Sequence, residues 1–365
     1  MPFQIALLLK STIKKSIMTP KAILIISFII LTNTLFAQSK YTGIYRFYNL
    51  PQSARIAGLG GNSIAIPEND INFTTVNPSA MKDTMSNQFA MNVTTYLAGI
   101  NYGNFIWGHS LKQNGNLAIS LQYLSYGNFQ RRDEFGYDQG TYGGNDYALN
   151  IVWSKELFKY IHIGAAFKPL YSKIDTYKSY GVAFDIGAHF YNPKYGTMVS
   201  IVAKNLGKQI QPYTENATED LPYDIQVGFS TKLKHAPFRF SWVFHTLDQY
   251  NLILTNNNVS EPNNTNLEPE PIEEDWIHEN IENFLRHSIF GVEIIPTKAF
   301  YLQFGYNFQR RSEMKTINKP ALSGVSFGLG VRIKKMDISY ARSQYHLSNA
   351  TNHISIRTNL NDIFR

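Results

Sequence analysis

The residues best suited to metal binding or nucleophilic chemistry are scattered along this chain. Its nine histidines stand at positions 109, 162, 189, 235, 245, 278, 287, 346 and 353. Trp276-Ile-His278-Glu279-Asn280 only approaches the zinc-protease pattern His-Glu-x-x-His, and no Gly-x-Ser-x-Gly nucleophile turn occurs. The chain has no cysteine, which excludes thiolate metal sites, cysteine nucleophiles and disulfides. The sequence therefore predicts no catalytic residue, no metal site and no cofactor, and it favours a non-enzymatic role.

Alternation of apolar and polar residues is the dominant pattern. In PFRFSWVFHTL, residues 237–247, four aromatics stand at every second position and mostly polar residues lie between them. This two-residue period is that of a β-strand with two different faces. Similar segments follow one another from Ser86 onward, and each has about 10–16 residues, enough to cross a bilayer at a tilt. We predict fourteen strands at about 86–97, 99–111, 116–129, 144–156, 160–173, 177–191, 196–206, 222–233, 237–253, 287–296, 299–310, 322–333, 336–346 and 351–361.

The connections between these strands alternate in length. Tight turns are predicted at 112–115, 156–159, 192–195, 234–236, 296–298 and 334–335, and longer connections at about 130–143, 207–221, 254–286 and 311–321. Short connections near residues 98, 175 and 348 are exceptions. Tight turns at one end and long loops at the other are typical of a transmembrane antiparallel β-barrel. A secreted β-sandwich or propeller is the alternative, but strand length and loop asymmetry both oppose it.

The two faces of the strands predict different surroundings. One side of 182–190 carries Val182, Phe184, Ile186 and Phe190, whereas Asp185 and His189 lie on the other side. Burying a carboxylate and an imidazole in a dry core costs several kcal/mol unless they are paired, so we expect a wet lumen. Trp107, Trp153 and Trp242 lie about four or five residues from predicted inner turns and point outward. They are therefore predicted to form an interfacial aromatic belt.

The N-terminal segment predicts export. Lysines precede a short apolar run from Ala22 to Leu31, and Ala37-Gln38 offers a cleavage site, so residues 1–37 are predicted to be a signal peptide. An uncleaved anchor is the alternative, and Met18 is a possible start. The formal net charge is +7 although acids concentrate between Glu261 and Glu282. Export argues against nucleic acid as the partner of this basic surface and favours anionic lipopolysaccharide.

Residues 38–85 do not read as barrel strands. They contain Ser53-Ala-Arg55-Ile-Ala-Gly-Leu-Gly60-Gly61-Asn62 and the turn signal Asn77-Pro78. The glycines lack the G-x-G-x-x-G spacing of a dinucleotide site and permit unusual backbone conformations instead. Together with Lys204-Asn-Leu-Gly207, Leu233-Lys-His-Ala-Pro-Phe238 and Gly305-Tyr-Asn-Phe-Gln-Arg-Arg311, these motifs make the chain resemble the PorQ family of the type IX secretion system of Bacteroidetes.

This resemblance covers essentially all of the chain after the signal peptide and implies a fold, a location and partners. The family belongs with PorV-like and FadL-like outer-membrane barrels of about fourteen strands, so residues 86–365 are expected to form the barrel. Residues 38–85 are the expected plug, with Arg55, Gly60, Gly61, Asn62, Asn77 and Pro78 as its motif residues. The implied role is to hold a PorZ-like surface protein beside PorU and PorV in the cargo attachment complex. The alternative is a FadL-like transporter of hydrophobic small molecules.

The acidic segment 254–286 is predicted to be a long outer loop. A helix is expected at about 272–286, with Ile272, Trp276, Ile277, Ile281, Phe284 and Leu285 on one side and acids opposite. Two interpretations remain open. The helix either packs over the barrel rim or presents Trp276, Ile277, Ile281 and Phe284 as a docking surface for a partner.

Overall fold

The computed structural model describes residues 43–215, 217–253, 276–314, 322–345 and 350–363. The predicted signal peptide, residues 38–42 of the predicted plug and most of the acidic loop lie outside these ranges. Within them, fourteen antiparallel strands form one closed barrel in which each strand pairs with its sequence neighbours and β1 pairs with β14. The fourteen-stranded, all-β prediction is therefore confirmed. No helix in the described ranges is long and apolar enough to cross a membrane.

The elements follow the alternation found in the sequence. The strands are β1 Gln88–Thr95, β2 Asn101–Ser110, β3 Asn116–Arg132, β4 Asp138–Phe158, β5 Ile161–Ile174, β6 Tyr177–Asn192, β7 Thr197–Gln211, β8 Asp224–Lys232, β9 Phe238–Phe244, β10 Ser288–Thr297, β11 Phe300–Asn307, β12 Val325–Ile333, β13 Met336–Gln344 and β14 Ala350–Asn359. The α-helices are α1 Ala54–Gly58, α2 Trp276–Arg286, α3 Phe308–Met314 and α4 Leu360–Ile363. Short 3-10 helices lie at Arg46–Asn49, Ile71–Thr75, Pro78–Ala80, Asp83–Met85, Leu97–Gly99 and Lys112–Asn114.

Several strand boundaries differ from the prediction, and two regions differ most. β9 ends at Phe244 and not near residue 253, because the backbone takes a positive φ of 56° at Thr246 and leaves the ladder. The expected loop at 130–143 is instead the end of a long hairpin, since β3 runs to Arg132 and β4 begins at Asp138. The barrel wall is thus tall at β3–β7 and lower around the rest of the barrel, where β9, with 7 residues, is the shortest of the described strands. We call the end with the tight turns the inner rim and the opposite end the outer rim.

The outward and inward faces alternate as predicted. Along β6, Phe184, Ile186 and Phe190 are exposed, whereas Ala183, Asp185 and His189 are buried. In β9, Trp242 lies outside while Arg239, Ser241 and Val243 face the lumen. A soluble domain reverses this arrangement. An outward face of Phe, Ile, Leu and Val matches the apolar band of an outer-membrane-type barrel.

Aromatic rows border this apolar band. Four tyrosines on adjacent strands form the outer row, with successive ring centroids 5.1, 6.0 and 5.0 Å apart: Tyr123, Tyr147, Tyr171 and Tyr180. At the other end, the Trp153 indole donates a hydrogen bond to the carbonyl of Asn114 in an inner turn. On β6, Tyr180 and Phe190 mark the two borders of the band. They are ten residues apart, which at a strand tilt of about 40° corresponds to a height of about 25 Å. That height equals the apolar band of outer-membrane barrels.

A charge placed in the middle of this band tests the membrane-facing assignment. Ile186→Arg is expected to lower the free energy of unfolding in lipid vesicles by about 2–4 kcal/mol, because it exposes a guanidinium to acyl chains. Tyr137→Arg, at the exposed tip of the β3–β4 hairpin, is the control and should change it little. Urea titration monitored by tryptophan fluorescence measures both. Equal effects of the two substitutions would contradict the assignment.

Candidate functional site: the plug–lumen interface

Residues 43–85, which we call the plug, occupy the interior of the barrel. α1 contacts β11 to β14, and the 3-10 helix Pro78–Ala80 contacts β4, β5 and β6. Ala54, Ile56, Ala57, Ile64, Ile71 and Phe73 are almost completely buried. A plug that touches opposite walls obstructs the lumen, and a cavity of about 270 Å³ remains at the inner end beside Asp337 and Arg357.

Arg55 is the central charge of the plug. It lies on α1, whose N-terminus is capped by Ser53, because the Ser53 hydroxyl accepts a hydrogen bond from the amide of Ile56. The Arg55 guanidinium donates to Glu293 of β10 at 2.9 Å, pairs with Asp70 at 3.5 Å and stacks on the ring of Tyr301, 4.6 Å from its centroid. Arg55 therefore joins the plug to the barrel wall and to a second plug segment.

Further ion pairs extend this contact across the lumen. Arg239 of β9 donates to Glu293 at 2.6 Å and also pairs with Glu68 of the plug. On the other side, Arg357 of β14 lies 3.7 Å from Asp70 and 2.7 Å from Asp337. The result is an alternating series of acids and bases, which we call the charge chain: Glu68, Arg239, Glu293, Arg55, Asp70, Arg357, Asp337 and Arg332.

The charge chain balances its own charges. It holds four acids and four arginines, three of its members belong to the plug, and five belong to the wall. Gln303 supports its centre, since its side-chain amide donates to Glu293 and to the carbonyl of Arg55. Buried charges need such pairing, because an isolated ion without water costs several kcal/mol. The charge chain ties the plug directly to three strands, β9, β10 and β14, and continues along the wall to β13 and β12.

Glu68 stays ionised through this pairing. Burial alone raises the pKa of Glu68, but the guanidinium groups of Arg55 and Arg239 act more strongly in the opposite direction and bring it to about 2, from an ordinary value of 4.5. Its contribution to plug docking is therefore fully present above pH 4.5 and lost as the pH falls through about 2.

A second buried ion pair corrects the expectation of a wet lumen. Asp185 is buried against Lys168 of β5, and the Lys168 ammonium lies 4.2 Å from the ring centroid of Tyr48 in the plug. The imidazole of His189 shares a 2.8 Å hydrogen bond with the Ser79 hydroxyl. Both side chains are almost inaccessible. Lys168 thus offsets the cost of burying Asp185, and Ser79 satisfies the Nδ1 atom of His189.

The motif residues shape the plug backbone. Gly60 and Gly61 have φ values of +95° and +94°, which strain any residue with a Cβ. Asn77 caps the next 3-10 helix, because its side-chain oxygen accepts from the amide of Ser79, while its amide group donates to the carbonyl of Ile64. Pro78 occupies the first position of that helix, where no amide hydrogen is needed. Asn62 is half-buried between these two features.

Two wall glycines that the sequence reading missed accommodate the Asn77-Pro78 turn. Gly164 and Gly187 are direct partners on β5 and β6. A Cβ on Gly164 would collide with the Pro78 carbonyl group, and one on Gly187 would meet the Asn77 side-chain oxygen. Inward-facing glycines on adjacent strands are the signal that could have identified this close approach.

The outer half of the lumen holds an aromatic and aliphatic cluster. From the plug come Ile44, Tyr45, Phe47 and Tyr48, and from the wall and loops come Tyr102, Leu124, Ala148, Leu170, Ala183 and Leu221. The Tyr102 hydroxyl donates to the carbonyl of Pro51, and the Tyr45 hydroxyl lies 2.6 Å from that of Ser179. Side chains of the chain itself therefore fill the outer half of the lumen.

The remaining predicted residues lie on the outer surface. Trp107 is half-buried, and Trp153 and Trp242 are exposed on the outward faces of β4 and β9. The structure brings Ile277, Ile281 and Phe284 together on the exposed side of α2, and places Trp276 at the start of that helix. The side that faces the barrel carries Asn283 and Arg286. The apolar side of α2 is therefore largely exposed, and Phe284 is its contact with the barrel, through Trp242 and Phe244.

Loss of the central arginine tests the charge chain. Arg55→Met keeps most of the side-chain volume but leaves Glu293 and Asp70 with one cationic partner each, so we expect a loss of about 3–5 kcal/mol in unfolding free energy. Planar-bilayer recording should show a larger conductance as the plug loosens. Arg131→Met breaks an exposed pair with Asp175 and should change the unfolding free energy by less than about 1 kcal/mol. Indistinguishable variants would refute the proposed importance of the buried pairs.

Comparison with known proteins supports the fold. No family model matches the chain, and neither does any curated protein. The chain is similar to the TodX deltaS2S3 mutant monoaromatic hydrocarbon channel, with a TM-score of 0.50, 10% identity and coverage of 84% of this chain and 99% of that chain. It also matches the Pseudomonas putida toluene transporter TodX, with a TM-score of 0.49, 10% identity and coverage of 84% and 96%. A Pseudomonas aeruginosa FadL homologue matches with a TM-score of 0.46, 8% identity and coverage of 84% and 98%. At such identities the likeness concerns the fold alone, which is that of a closed antiparallel β-barrel.

Proposed function

We propose that this chain is a closed, non-enzymatic outer-membrane scaffold of the type IX secretion system. In this role it would anchor a PorZ-like surface protein beside PorU and PorV. The observation that carries the proposal is the occupied lumen, in which three plug–wall ion pairs of the charge chain and an aromatic cluster fix the plug to the wall. A barrel held shut in this way suits anchoring better than passage. The motifs shared with the PorQ family supply the identity of the partners.

The tall side of the wall offers a surface for such a partner. The β3–β4 hairpin continues about ten residues beyond Tyr123 of the outer aromatic row, which places its tip about 25 Å above that row. Phe135 and Tyr137 at the tip are 79% and 71% exposed. Aromatic side chains that stand in water on a rigid hairpin are suited to be anchors of a protein interface. Arg131 of the same hairpin pairs with Asp175 in the β5–β6 turn and stiffens it.

A FadL-like transporter of hydrophobic small molecules is the second candidate. The named activities of the solved structures, a toluene transporter and a monoaromatic hydrocarbon channel, favour it over the scaffold. The outer lumen also favours it, because withdrawal of residues 44–48 would leave a pocket lined by Tyr102, Leu124 and Leu170. Such a pocket has the apolar lining that small-molecule sites require.

One pair of measurements separates the two candidates. Affinity purification of the tagged chain from native outer membranes should recover a PorZ-like protein, identified by mass spectrometry, if the scaffold proposal is right. Fatty-acid or toluene uptake by a deletion strain should then equal that of the parent strain. Reduced uptake together with no co-purified surface protein would reject the scaffold and support the transporter.

Shortening the hairpin tests the proposed partner surface. Asn128 and Gly143 are directly paired, so replacing residues 129–142 with Asn-Gly closes the strands through a tight type I′ turn. We expect at least about a ten-fold loss of co-purified surface protein, since the central aromatic anchors are removed. Unchanged heat-dependent gel mobility would show that the barrel still folds. Phe158→Ala, an exposed aromatic at the inner rim, is the control. Full recovery of the partner by the shortened chain would exclude this hairpin.

A further inference from the structure

Helix α2 has its polarity reversed relative to a helix on a soluble protein. Its barrel-facing side carries Asn283 and Arg286, both buried, whereas Ile277, Ile281 and Phe284 are 58%, 54% and 51% exposed. On the surface of a soluble protein the apolar side of an amphipathic helix faces inward. Reversal of this kind is expected when the medium outside the helix is apolar.

Polar contacts hold α2 to the chain segment that follows β9. The Asn283 side chain donates to the carbonyl of Tyr250 at 2.5 Å and accepts from the amide of Leu252 at 2.8 Å. Arg286 donates to the carbonyl of Leu252 at 3.2 Å. His287, directly after the helix, lies 2.9 Å from the carbonyl of His245. These contacts fix the rotation of α2 about its axis and hence the outward direction of its apolar side.

The apolar side of α2 continues the outward face of the barrel. The Phe284 ring lies 6.4 Å from that of Trp242 and 5.5 Å from that of Phe244, both on the outward face of β9. Phe290 of β10 is exposed beside Trp242, its direct cross-strand partner. The helix and the lipid-facing strands therefore share one apolar surface without a polar break at their contact.

The height of the wall explains why this surface needs a helix. β9 has 7 residues, which at a tilt of about 40° rise only about 18 Å, against the band of about 25 Å found in outer-membrane barrels. Without α2, the polar segment after Phe244 would meet acyl chains at this position. The helix covers Leu252 of that segment and offers Ile277, Ile281 and Phe284 beside it.

We propose that α2 lies in the outer leaflet and completes the lipid-facing wall where β9 ends, so that its apolar side binds lipid acyl chains and not a protein partner. This inference rests on the outer-membrane setting of the proposed function. It replaces the docking interpretation for Ile277, Ile281 and Phe284.

The absence of native cysteine permits a direct test with single-cysteine variants. Ile281→Cys, labelled with an environment-sensitive fluorophore, is reconstituted in phosphatidylcholine vesicles that contain spin-labelled acyl chains. We expect lipid quenching within about two-fold of that at Ile186→Cys on the barrel band, and weak quenching by aqueous iodide. Glu282→Cys, on the polar side of the same helix, and Tyr137→Cys, at the hairpin tip, should show stronger iodide quenching.

The controls separate failure of this inference from failure of the membrane setting. Iodide quenching at Ile281→Cys, with lipid quenching retained at Ile186→Cys, would overturn the inference alone. Protection of Ile281→Cys from both quenchers would also overturn it, since it would mean that protein covers the helix. Iodide quenching at Ile186→Cys would instead reject the lipid-facing band itself.

Discussion

Pairing of charges in a filled interior is the constraint on which the rest of this structure depends. Strands that turn their apolar side chains outward must turn their polar ones into the barrel, and here the plug buries many of those groups. Arg239 and Glu293 on adjacent strands pair with each other, and the plug adds Arg55 beside Glu293 and Glu68 beside Arg239. The plug is therefore an electrostatic complement of the wall as well as a space-filler. Its apolar contacts, such as Phe73 under the Arg55 guanidinium, add packing around that complement.

The same inversion orders the outer surface. The closed ladder from β1 to β14 satisfies the strands' backbone groups without an edge, which a lipid environment requires. Where the ladder is too short, at β9, a helix takes over and satisfies its own backbone groups internally. Its side chains then follow the rule of the strands, with Phe284 outward and Asn283 inward. Strands and helix thus meet the same two requirements of a lipid environment: their backbone groups are hydrogen-bonded within the chain, and their apolar side chains face outward.

Much of this fold could be predicted from the sequence, because the two-residue period of the strands is local. It placed all fourteen strands, and it predicted that Phe184 and Ile186 face outward. The contacts between plug and wall could not be predicted in this way. Arg55 and Glu293, for example, are 238 positions apart, and no local sequence pattern indicates that they pair. The helix near residue 280 shows an intermediate case. Its amphipathic period was visible, but which side faces the barrel depends on the surrounding solvent, which the period does not specify.

The energetics of the plug bear on the choice between scaffold and transporter. Passage through the lumen requires the plug to move, and movement of α1 would separate Arg55 from Glu293 and Asp70 together. Removing one partner of a buried pair costs about 3–5 kcal/mol, so a spontaneous opening that breaks several pairs at once would be rare. A transporter built on this barrel would need a ligand or partner that binds the open state more tightly, to supply that difference. A scaffold needs no such compensation, because the closed state is the functional one.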